Sequence, residues 1–132
     1  MKSSEYASYD GLGLAGLIAK GEVTPAETVE AAIDLTEKLN PAMNAVIHKH
    51  YERAREEAGG ALPEGPFRGV PYLLKDLDGF SAGDPFHAGS EHLKAAGYVA
   101  DTDGRTRTER FGATEIHVIL NFFEELKERV GN

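Results

Sequence analysis

Cysteine is absent from the 132-residue sequence, and so is tryptophan. Without a thiol there is no disulfide framework and no thiolate metal site, and a reducing compartment is permitted. Apolar runs are only a few residues long, and Met1-Lys2-Ser3-Ser4-Glu5 has no apolar continuation, so neither a membrane span nor a signal peptide is read; the sequence reads as soluble and cytoplasmic. A net charge of −8 with no basic stretch argues against nucleic acid as a partner. The length suits one ordinary domain with one core. Repeats and low-complexity tracts are missing.

The helical signals are local and clear. Asp10 is placed to cap a helix over 10–20 whose Leu12, Leu14, Leu17 and Ile18 fit one face, with Gly21 closing it. Thr24-Pro25-Ala26-Glu27 spells a capping box with proline at the first helical position, predicting a helix from 24 to about 39. Val29, Ala32, Ile33, Thr36 and Leu39 fall on its apolar face, and Asn40-Pro41 should end it. Residues 50–58 are charged and helix-forming; 92–97 suit a short helix stopped by Gly97, and Tyr98-Val99-Ala100 the start of a strand. Further on, Ile116 to Leu120 reads as a strand and Phe122 to Val130 as an amphipathic helix. His48 and His50, two apart, have the spacing of a metal pair on a strand, but no third ligand stands at a recognisable distance and no metal site is expected.

Chemistry points to Gly69-Val70-Pro71-Tyr72-Leu73-Leu74-Lys75-Asp76. The apolar run from Val70 predicts a buried strand over 70–75 with Lys75 at its end, on the same face as Leu73, while Leu74 and Asp76 share the other. An ammonium on an apolar face must either pair or lose its proton, and the neutral amine is a general base. The alternative is structural: Lys75 pairs with Asp76, Asp78 or a more distant carboxylate and caps the strand.

Residues about 6–100 resemble the amino-terminal part of an amidase signature enzyme, and within that family the 6-aminohexanoate cyclic dimer hydrolase kind. The likeness is carried by Gly21-Glu22-Val23-Thr24-Pro25-Ala26-Glu27, Leu39-Asn40-Pro41-Ala42-Met43-Asn44-Ala45-Val46, Gly69 to Asp76 and Ala88-Gly89-Ser90, in order. The resemblance implies that Lys75 takes the position of the base in a Ser, cis-Ser, Lys triad acting on a small-molecule amide, with no cofactor. The family's two serines belong to a Gly- and Ser-rich segment well downstream. Here the serines are Ser3, Ser4, Ser8, Ser81 and Ser90, none in such a segment, and Ser90 matches a family element that does not supply the nucleophile. Moreover, Leu93 to Ala100 follows Ser90 sooner than the family pattern would have it.

The expectation is therefore an α/β chain, a reduced amino-terminal part of an amidase signature fold with helices packed on a small mixed sheet. Residues 1–100 form the amidase-like segment and 101–132 an unrelated tail with a strand and terminal helix. Such a chain should be a truncated amidase, inactive alone because the partners of Lys75 are absent. The competing expectation is a non-catalytic interaction or oligomerisation module, in which the strand 116–120 would add to an open sheet edge in self-association.

Overall fold

The structure, a computed structural model, describes residues 1–77 and 79–101. The strand and helix expected at 116–130 lie outside the described residues. Among the described residues five helices follow one another: α1 (Ser3–Tyr6), α2 (Gly11–Ala19), α3 (Pro25–Met43), α4 (Tyr51–Gly59) and α5 (Glu91–Ala95). The long α3 is central, with α1 and α4 packed against it.

Each helix start is built as its sequence requires. The Asp10 carboxylate accepts the Gly13 N–H at 2.7 Å and caps α2. At α3 the capping box is complete: Thr24 Oγ1 accepts the Glu27 N–H at 3.2 Å, and Glu27 Oε2 accepts the Thr24 N–H at 2.8 Å. Gly21, at φ 71°, turns the chain between the two helices.

Instead of ending at Asn40-Pro41, α3 runs on to Met43. A proline in the last turn forfeits a single donor, the one that would have reached the Glu37 carbonyl. Asn40 recovers more than that: its side chain donates to the Val46 carbonyl at 3.0 Å and accepts the Val46 N–H at 2.8 Å. That clamp, with Asn44 in the left-handed region at φ 50°, folds the connector 44–50 back beside α3.

The core lies on two sides of α3. On one side Tyr6, Leu14, Ala31, Ala32 and Val70 bury one another, joined by Leu35, Phe67 and Leu73. On the other, Val29 meets Ala54 and Ala58 of α4. Alanines at both contacts let the backbones approach closely, so Val29 is fully buried. Tyr6, to which the sequence reading assigned no role, belongs to this core; burial pushes its phenol up to about 12.

The expected small mixed sheet is not seen among the described residues. Residues 70–75 bury Val70 and Pro71 but have no ladder partner among the described residues, and a strand exists only through bonds to a neighbour. The one pairing among the described residues is an antiparallel bridge between Pro85 and Val99, flanked by the Ala100 N–H donating to the Asp84 carbonyl at 3.0 Å. Gly69 sets the entry to the 70–75 segment. It is buried at φ 79°, and a Cβ there would stand 2.7 Å from Pro25 Cγ at the start of α3.

Candidate functional site

An apolar cavity of about 500 Å³ opens between α3, the connector after it and the residues around Lys75. Ile33, Leu39, Met43, Val46, Leu74 and Phe80 supply much of its wall. Lys75 lines it, as does Ser81, whose side chain is buried. Ser90 does not line it: the Ser90 hydroxyl accepts the Leu93 N–H at 3.4 Å and caps α5. Of the five serines, the fold brings Ser81 alone to the cavity that Lys75 lines.

Lys75 itself departs from the buried strand-end position expected of it. Its side chain is exposed, and among the described residues no strand pairs with the 70–75 segment that leads to it. The expected pairing with Asp76 is not made. One Asp76 oxygen, Oδ1, accepts the backbone N–H groups of His87 at 2.8 Å and Ala88 at 3.2 Å, and Oδ2 stands 3.9 Å from His87 Nδ1. The Lys75 carbonyl accepts the N–H groups of Leu77 at 2.7 Å and Gly79 at 3.3 Å, which turns the chain directly after the lysine. Asp78, the other proposed partner, lies outside the described residues.

Beside Lys75 the cavity carries a polar rim that local sequence spacing does not reveal. His48 and His50 have ring centroids 6.4 Å apart. A third histidine, His87, meets His48 edge-on with centroids 5.0 Å apart. His50 Nε2 lies 3.7 Å from Asp84 Oδ1, and Asp84 is itself held by Arg53 of α4 through two bonds of 3.0 and 2.8 Å. Burial, and after it the neighbouring His87, holds the His48 imidazole below the ordinary histidine range. The ring–ring contact of His48 and His87 spans nearly forty residues of chain, so no short motif announces it. No three histidine or acidic side chains among the described residues are poised to hold a metal ion.

Chemically the site offers a primary amine with no ion pair among the described residues at the mouth of an apolar cavity, the buried hydroxyls of Ser81 and Thr36 on the same cavity, and imidazoles on its rim. An amine acts as a base only when neutral. Among the described residues no second serine lines the cavity to bridge Lys75 to a nucleophile.

No family model matches the chain. Over 94 residues it is 44% identical to the 6-aminohexanoate-cyclic-dimer hydrolase of Pseudomonas sp. (strain NK87), a stretch covering 71% of this chain and 19% of that protein. It is 41% identical over 75 residues to the lipoamidase of Enterococcus faecalis, covering 56% of this chain and 10% of that one. The solved structure of 6-aminohexanoate cyclic dimer hydrolase superposes with a TM-score of 0.73 at 37% identity, over 85% of this chain and 23% of that chain. A bacterial aryl acylamidase of the amidase signature family superposes with a TM-score of 0.65 at 27% identity, over 83% of this chain and 24% of that chain. The chain spans about a fifth of the length of that hydrolase.

Proposed function

The homologues and structural neighbours of this chain are amidase signature enzymes, and from that kinship we propose that it presents the lysine of a Ser, cis-Ser, Lys site without its two serines. In this reading residues 1–100 are the amidase-like segment and 101–132 a separate tail. Lys75 stands where the family's base would stand, the substrate class is a small-molecule amide, no cofactor takes part, and the compartment is the cytoplasm. Among the described residues no helix is long and apolar enough to cross a membrane. The chain alone does not hydrolyse amides, because removing the nucleophile of such a unit leaves little of its rate enhancement.

The observation that supports this reading is the position of Lys75: it ends the Gly69 to Asp76 run and lines an apolar cavity that Ser81 alone of the five serines shares. Intact mass after exposure to a fluorophosphonate serine-hydrolase probe tests it, with a circular dichroism melt confirming a folded sample. The expected result is no adduct on a cooperatively melting protein. An adduct on Ser81 that disappears in Lys75→Ala would overturn it, since these two residues would then make a working nucleophile unaided.

A further inference from the structure

His48 links two parts of the site that the backbone does not. It belongs to the connector that the Asn40 clamp folds beside α3. Its ring packs edge-on against His87 at 5.0 Å, while its Nε2 is buried with no hydrogen-bond partner among the described residues. His87 opens a tight turn in which its carbonyl accepts the Ser90 N–H at 2.7 Å, and Ala88 sits in the left-handed region at φ 49°. That turn hangs on the carboxylate of Asp76, the residue after Lys75. The His48–His87 contact therefore fastens the Lys75 loop to the wall behind it.

We propose that the His48–His87 ring pair is a proton-sensitive latch, holding the 87–90 turn against the connector while the His48 ring is neutral and releasing it when His48 takes a proton.

The charges around His48 set the balance. From its own connector come His50 and Lys49, and Lys49 is occupied by Glu37 of α3 at 2.6 Å. From the loops come Asp76, Asp84 and His87; Asp84 is occupied by Arg53 of α4 and Asp76 by two backbone N–H groups. Lys75 lines the same cavity. The two carboxylates favour a charged His48, but both are committed elsewhere, and burial with the neighbouring imidazoles opposes them and prevails. The folded chain thus takes up the His48 proton less readily than the unfolded chain. The stabilisation from the latch is complete above the ordinary histidine value of about 6.5 and is lost as pH falls through the lower folded value.

The test is amide hydrogen exchange on the intact chain across a pH series, corrected for intrinsic exchange, beside ring titrations of the histidines by NMR. Protection at Ala88 and Ser90 should be lost on acidification with the midpoint of the His48 ring. In His48→Gln that loss should vanish, whereas His92→Gln, altering an exposed histidine on α5, should leave it intact. Should His48→Gln not fold, the unmodified chain still decides. Protection at Ala88 that is independent of pH, or that follows another histidine's midpoint, overturns the latch, as does an unchanged pH response in a folded His48→Gln. The outcome does not depend on whether the chain hydrolyses anything.

Discussion

Asp76 holds the backbone of His87: its Oδ1 accepts the His87 N–H at 2.8 Å and, from the same oxygen, the Ala88 N–H at 3.2 Å. The aspartate following Lys75 is thus a structural post for a distant turn rather than the lysine's counter-ion. Removing it in Asp76→Ala leaves two partly buried N–H groups without an acceptor, at a cost of about 1–3 kcal/mol. Asp76→Asn keeps an oxygen in place and should lose less. Urea unfolding of the two variants checks this, and equal stability of Asp76→Ala and the parent chain would contradict it.

A second prediction concerns Gly69. Its φ of 79° favours glycine, and the missing Cβ would press on the Pro25 ring that begins α3. Gly69→Ala should cost at least the roughly 1–2 kcal/mol of a left-handed non-glycine residue, with the Pro25 clash added. Thermal melts should show the loss. A neutral Gly69→Ala would mean that the segment leading to Lys75 is not anchored against α3.

The features readable in the sequence were those that short stretches decide. Asp10, Thr24 and Glu27 cap their helices because a cap needs only neighbours three residues away, and α2 and α4 fall within a residue or so of expectation. Where a distant partner decides, the reading failed in particular ways. Pro41 predicted a helix end that the Asn40 clamp to Val46 overrides. Val70 to Lys75 has the composition of a strand, yet composition cannot supply the neighbouring strand that a ladder requires. His87 gives no local sign of reaching His48, and no residue beside Lys75 announces that its side chain is exposed.

Tyr6 yields a third prediction of opposite sign. Its ring is almost wholly buried in the core beside Leu14 and Val70, but its hydroxyl has no hydrogen-bond partner among the described residues. An unsatisfied buried hydroxyl costs free energy that an apolar ring of the same shape does not. Tyr6→Phe should therefore match or exceed the parent chain in stability, by up to about 1 kcal/mol. A marked loss in Tyr6→Phe would mean that the hydroxyl has a partner after all. Leu14→Ala in the same cluster, by contrast, opens a cavity and should cost about 2–5 kcal/mol.

Lys75 itself separates a catalytic inheritance from a structural role. A lysine retained as a strand cap would pair with a carboxylate, and breaking that pair would destabilise the fold. Here the side chain is exposed, the adjacent Asp76 is committed to the 87–88 backbone, and no ion pair of Lys75 occurs among the described residues. Lys75→Met should then change stability by less than about 0.5 kcal/mol, as surface substitutions away from such features do. A loss well above that, in denaturant unfolding of Lys75→Met against the parent chain, would assign the lysine to holding the fold and weaken its reading as the remnant of a base. A neutral result leaves the lysine without a structural task among the described residues, which agrees with the proposed reading of it as a base.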